Sequence, residues 1–232
     1  MNMEGKVGIR KIVVPGEEID ENGKPGNGVF VENGKMYSAY LGIVDLRAGY
    51  VNVIPLSGCY IPKKGDKVIG KIIDLAPMNW VVDINAPYYA PLHVNDVPWR
   101  VDFGDTGRYL SIGDVVLAKV SNVNELGQVW ITLKEPGLRK LEGGHIIKIS
   151  PFKVPRVIGK GGSMIQMLKE YTGCRIYVGQ NGVIWISGSP EGIVTVIKAI
   201  RMIESEAHTY GLTDRVKEFL EENRGDNDGN EE

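Results

Sequence analysis

Along the first sixty residues, apolar positions come in short alternating runs, "KIVVPGE" and then "GVFVENGKMYSAYLGIVDL", separated by turn residues. A period of two is the pattern of half-buried strands, and Asn33-Gly34 between two such runs has the chemistry of a two-residue hairpin turn. Residues 1–60 therefore read as a small all-β unit. Within it "DENGKPGNG", Asp20 to Gly28, offers no core-forming side chain and is expected to be a mobile polar loop unless a partner orders it.

From Lys64 to Lys134 the runs are "GDKVIGKIIDL", "NWVVDI", "PYYAPLHVNDV", "IGDVVLAKVSNV" and "GQVWITLK", with Gly-Asp opening two of them. Five short strands joined by turns predict a small Greek-key barrel of the oligonucleotide-binding type over residues 61–136.

Beyond His145 the period changes. "HIIKIS" is a strand; a short helical turn at "VPRVI" leads into Gly159-Lys160-Gly161-Gly162; a helix follows from Ser163 to about Tyr171 with Met164, Ile165 and Leu168 inward. Two strands, "RIYV" and "VIWIS", surround Gly179-Gln180-Asn181-Gly182, which reads as a hairpin turn whose Asn181-Gly182 takes positive dihedrals. Pro190 then opens a helix with Ile193, Val196, Ile197, Ile200 and Ile203 at helical spacing. Residues 137–211 are thus a compact α+β module. Residues 212–232 hold a last helix, "TDRVKEFLEEN", with Thr213 as its expected N-cap and Val216, Phe219 and Leu220 on one face, and then an acidic tail without apolar residues, expected to be disordered.

A glycine-rich turn feeding a helix presents unpaired N–H groups and the positive end of the helix dipole, an arrangement suited to phosphate. A nucleotide-binding P-loop is excluded by spacing, because Lys160 precedes the second glycine. The charge map supports a larger polyanion. The whole chain carries a net charge of −2, yet Lys134 to Arg175 holds nine Lys or Arg against three Glu, while Arg201 to Glu232 holds four basic residues against ten acidic. Two distant cysteines, Cys59 and Cys174, and three histidines do not form a zinc ligand pattern, and no cofactor motif is present. No run is long enough to span a membrane, and the N-terminus lacks a signal-peptide core, so a soluble cytoplasmic protein is expected.

"GDKVIGKI…NWVVDI…APLHVNDV…IGDVVLAKV…GQVWITLK" resembles the S1-type RNA-binding barrel over about seventy residues. That resemblance implies a base-stacking face of Trp80, Tyr88 or Tyr89, and His93, with Lys119 beside it; Trp80 is alternatively core and His93 alternatively structural. Where the S1 family often has an arginine near the start of the last strand this chain has Gln128; Arg100 and Arg108, in "PWRVDFGDTGRYL", either replace it or are surface charges. The element order around Ile158-Gly159-Lys160-Gly161-Gly162 resembles a type I KH domain, whose Gly-x-x-Gly loop clamps the backbone of unpaired nucleotides. Lys153 and Arg156 flank that loop.

The order of a small β domain, an S1-type barrel and one type I KH domain resembles the RNA-binding cap subunit of the archaeal exosome, over residues 9 to 210, and "VENGKMYSAYLGIV" and "GCRIYVGQNGVIWISG" are similar to it throughout. The resemblance implies a non-catalytic subunit present in three copies on a hexameric ring of RNase PH-like subunits. Its N-terminal domain docks on the ring, and single-stranded RNA is captured for 3′-to-5′ degradation or tailing. The other reading is a free-standing S1/KH RNA-binding or transcription factor. An enzyme would need a convergent cluster of carboxylates or histidines, whereas Asp102, Asp105 and Asp114 are scattered among turns and strand starts.

Overall fold

A computed structural model describes residues 11–56, 58–207, 209 and 211–223, without the side chain of Arg47. The acidic tail expected to be disordered lies outside the described residues. The chain divides into two units after Gly58.

The first unit contains β1 (Ile12–Val13), β2 (Lys24–Pro25), β3 (Val29–Glu32), β4 (Lys35–Ser38), β5 (Gly42–Arg47) and β6 (Tyr50–Pro55). The hairpin expected at Asn33-Gly34 is present: Glu32 pairs with Lys35 and both turn residues have positive φ, 51° and 76°. A second sheet runs β1-β5-β6-β2 over a small core of Val13, Ile19, Val51 and Val53. The segment expected to be a mobile loop is tied down instead. Lys24 and Pro25 pair in parallel with Tyr50 and Val51, and Gly26 N donates to Val51 O at 2.9 Å. Its glycines are part of that fit, since a Cβ on Gly28 would stand 2.8 Å from Val53 O.

The second unit begins with the expected barrel. Its strands are β7 (Lys67–Leu75), β8 (Asn79–Asp83), β9 (Ala90–His93), β10 (Val115–Val123) and β11 (Val129–Thr132). They follow the order β11-β9-β8-β7-β10, and the additional β10–β11 pairing closes the ring. Period-two alternation sends Trp80, Val82, Ile84, Leu92, Val116, Ala118 and Ile131 into its core. A sixth strand, β12 (Arg139–Leu141), pairs with Val115–Leu117 of β10, so this piece of the segment read as α+β belongs to the barrel sheet.

The α+β module consists of β13 (His145–Lys148), α1 (Val154–Ile158), α2 (Ser163–Thr172), β14 (Arg175–Val178), β15 (Val183–Ser187), α3 (Pro190–Ser205) and α4 (Leu212–Glu222). The sheet is antiparallel, in the order β13-β15-β14. Ser189 Oγ caps α3 by accepting from Gly192 N at 3.1 Å, and Ile193, Val196, Ile200 and Ile203 form its buried face. The cap of α4 is Gly211, in the left-handed conformation, and not Thr213. The apolar face of α4 is covered within the module: Val216 and Leu220 are buried in the same core as Met164 and Leu168, and Phe219 packs against it. Helices cover one face of the sheet. On the other, Val183 and Trp185 join the core of the barrel, so barrel and α+β module share one hydrophobic seam. Among the described residues no helix is long and apolar enough to cross a membrane.

Candidate nucleic-acid interface

The glycine loop has the geometry its sequence demands. α1 ends at Gly159, with φ 76° and ψ 173°, a region closed to residues with a side chain. A Cβ there would stand 2.7 Å from the backbone N of Met164. Gly161 and Gly162 also have positive φ, 62° and 85°, and α2 starts at Ser163 with the first-turn N–H groups on the loop side. Gly161 meets open space, and Lys160 is exposed with no ion pair among the described residues. A free cation, a backbone that accepts close approach and a helix N-terminus therefore coincide.

The two cations expected beside the loop are less free. One guanidinium nitrogen of Arg156 donates to Thr209 O at 3.3 Å, on the connection between α3 and α4, while its buried Nε has no partner. Lys153 is half-buried and lies in the field of Glu204. Burial alone would raise the pKa of Glu204; the hydrogen bond from Ser150 N at 2.9 Å and the Arg201 guanidinium at 2.8 Å outweigh it and hold the carboxyl below its ordinary value.

Trp80 is fully buried and its Nε1 donates to the carbonyls of Thr106 and Leu110, both at 3.2 Å. Its ring is core, not a stacking surface, because it shares strand parity with Val82 and Ile84. Tyr88 and Tyr89, on the β8–β9 connection, are 63% and 62% exposed and present rings to solvent. His93 pairs with Asn79 at the other end of β8, and its Nδ1 accepts from Asn95 N at 3.1 Å, capping a 3-10 turn. The 98–110 segment closes on that same end, where Gly104 N donates to Pro77 O at 3.1 Å and Thr106 Oγ1 to Ala76 O at 3.0 Å. Arg100 and Arg108 therefore sit with His93 and away from the tyrosines, and each faces its own carboxylate: Asp102 at 3.6 Å and Asp105 at 3.0 Å. Lys119 is paired with Glu135 at 2.6 Å. Phe103, 78% exposed between Arg100 and Arg108 in the sequence, presents a further ring to solvent; its signal in the sequence was a lone aromatic in a glycine-containing stretch without core periodicity.

What joins the modules is the turn at 179–182. It is the expected hairpin turn, with Gly182 at φ 77°, but Asn181 does not have positive φ and does not face water. It is fully buried in the barrel wall. Its Nδ2 donates to Ile69 O and Ile84 O, both at 2.8 Å, and its Oδ1 accepts from Ile69 N at 3.3 Å. Gln180 N donates to Lys67 O at 2.8 Å, and Asn85 Nδ2 to Asn181 O at 3.0 Å. The tyrosine end of the barrel is thereby the end fixed to the α+β module.

Two family models match the chain: the exosome RNA binding protein RRP4 N-terminal domain at residues 10–57, and the KH domain at residues 144–205. The Exosome complex component Rrp4 of Thermoplasma volcanium is 56% identical over 97% of this chain and 95% of its own length. The chain belongs to the Rrp4 family. The Rrp4 proteins of Picrophilus torridus, 52% identical over 97% of this chain and 98% of the relative, and of Methanosarcina acetivorans, 49% identical over 93% and 83%, match it as well. A crystal structure of a protein assigned as an exosome complex RNA-binding protein superposes with a TM-score of 0.66 at 40% identity, covering 73% of this chain and 99% of that one. The Rrp4 assignment accounts for the whole element order, a mostly β N-terminal region, a closed five-stranded barrel and a KH domain.

Proposed function

We propose that this chain is a non-catalytic, RNA-capturing cap of an exosome: it holds single-stranded RNA and guides the 3′ end into a ring of RNase PH-like subunits for 3′-to-5′ degradation or tailing. The observation that carries the reading is Lys160, without an ion pair among the described residues, on a glycine loop at the start of α2, in a chain related over nearly its whole length to proteins named as exosome components. Backbone N–H groups and a free ammonium bind phosphate without reading sequence; Tyr88 and Tyr89 add sequence-tolerant stacking, worth roughly 1–3 kcal/mol per base.

In this reading residues 1–60 dock on the ring, and the outer face of the N-terminal sheet supports it. Ile12 pairs with Ile43 and Ile43 with Ile54, so the three side chains form one row across β1, β5 and β6. They lie opposite in parity to the buried Val13 and Val53, and Ile12 is 60% exposed. Residues 61–136 and 137–211 then present the RNA-binding surfaces, in three copies per ring, in the cytoplasm. Affinity purification of the tagged chain tests the docking: recovery of RNase PH-like subunits, lost in an Ile12→Lys, Ile54→Lys variant that still folds, is the expected result. RNA binding with no ring subunit recovered would make it a free-standing factor.

A further inference from the structure

The seam between barrel and KH module carries a cluster of cations apart from the glycine loop. Tyr177, on β14, packs against Trp185 of β15 with ring centroids 5.6 Å apart, and two cations from different elements converge on it. The Arg139 guanidinium, from β12 of the barrel, lies 5.3 Å from the ring centroid and donates to the Tyr177 hydroxyl; the Lys169 ammonium, from α2, lies 5.9 Å from the same centroid. Both side chains are exposed, and among the described residues neither has a carboxylate within ion-pair distance. Glu170, next to Lys169, is engaged by Gln166 at 2.9 Å. Arg175 adds a third exposed cation two residues from Tyr177 on the same strand face.

Like charges held around one ring repel each other, and an aromatic face offsets only part of that repulsion. An anion placed between them relieves the repulsion and gains charge-assisted hydrogen bonds from both. We infer that Arg139 and Lys169, arranged around Tyr177, form a phosphate-binding site for the single-stranded RNA backbone at the barrel–KH seam. RNA is favoured over an acidic protein segment because the seam lies within the same basic run, Lys134 to Arg175, as the glycine loop, and the same compact unit carries the tyrosine pair. The site gives a strand held at Lys160 a second backbone contact on the barrel side. The inference rests on the RNA-capture reading.

The test is RNA affinity as a function of salt, by fluorescence anisotropy with a labelled unstructured RNA and the full chain. For single strands the log–log slope changes by about 0.7 for each phosphate neutralised, so the Arg139→Gln, Lys169→Gln double variant, which loses one phosphate contact, is expected to bind more weakly with a slope shallower by about 0.7. The charge-preserving pair Arg139→Lys, Lys169→Arg keeps the wild-type slope, as does Lys217→Gln, a charge loss on α4. In the wild type, photocrosslinking of a 4-thiouridine RNA maps to the peptide containing Tyr177. If the double variant only melts at lower temperature and keeps slope and crosslink, the cluster is a clasp between modules and the inference is overturned. If Lys160→Ala weakens binding while the double variant does not, the inference fails and RNA capture stands; if the wild type binds no RNA, both fail.

Discussion

The side-chain amide of Asn181, at the tip of the KH hairpin, donates 2.8 Å to the carbonyl oxygen of Ile69 in the first barrel strand. That bond and its two companions leave no polar atom of the Asn181 side chain unmet, in a site without water access. Barrel and KH module are thereby held together, and the spacing between glycine loop and tyrosines is set by the fold rather than by a linker.

Asn181→Ala should lower stability by about 1–3 kcal/mol, because two carbonyls and one N–H lose their buried partner. Asn181→Asp should cost more, since a carboxylate would face the carbonyls of Ile69 and Ile84. Urea titration of the purified variants measures this, and wild-type stability for either would show that the hydrophobic seam alone joins the modules.

The glycine loop separates into strained and open positions. Gly159→Ala forces a Cβ against Met164 in a backbone region closed to alanine, whereas Gly161→Ala meets nothing and costs only the left-handed penalty of about 1–2 kcal/mol. Thermal melting should rank Gly159→Ala below Gly161→Ala; the reverse order would mean that the loop relaxes freely.

On the barrel, stability and binding should divide between neighbouring aromatics. Trp80→Ala empties a core site and should destabilise by about 3–5 kcal/mol. Tyr88→Ala and Tyr89→Ala should leave the melting temperature nearly unchanged while RNA affinity falls, by roughly 1–3 kcal/mol for each stacked base lost. Parallel melting and anisotropy on the three variants distinguish this from a stacking role for Trp80.

Acid should loosen the second unit. Burial opposes ionisation of Asp114 and of Glu204, but Lys140 and Ser111 N for the first, and Ser150 N and Arg201 for the second, depress both pKa values. A depressed carboxylate stabilises the fold above its unfolded value, 3.8 for Asp114 and 4.5 for Glu204, and that stabilisation disappears as pH falls through the lower folded value. Lys140→Met should flatten this acid limb of stability against pH, and an unchanged limb would remove Asp114 as a contributor.

Much of this architecture can be read along the chain because it is set by local chemistry. Asn33-Gly34 takes the positive dihedrals of its turn, Ser189-Pro190 starts α3, and Gly159 to Gly162 leads into α2. Positions decided by distant partners are harder to read. Asn181 has the sequence of a solvated turn, and the wall that buries it lies 112 residues earlier. Lys24-Pro25 finds a strand partner in Tyr50-Val51 that composition does not announce. Trp80 is legible in the sequence, for its parity with Val82 and Ile84 places it inward. The division of the barrel residues between two ends depends on strand register, and the cations around Tyr177 come together only through the seam.

Reconstitution tests whether this chain captures RNA for a separate catalytic ring. RNase PH-like ring subunits, phosphate and a labelled single-stranded RNA are incubated with and without this protein, beside the Lys160→Asp variant. The expected result is intact RNA with the protein alone, faster degradation or tighter RNA binding when it joins the ring, and loss of much of that gain with Lys160→Asp. Cleavage by the protein alone, or a ring that neither binds it nor responds to it, would contradict the account.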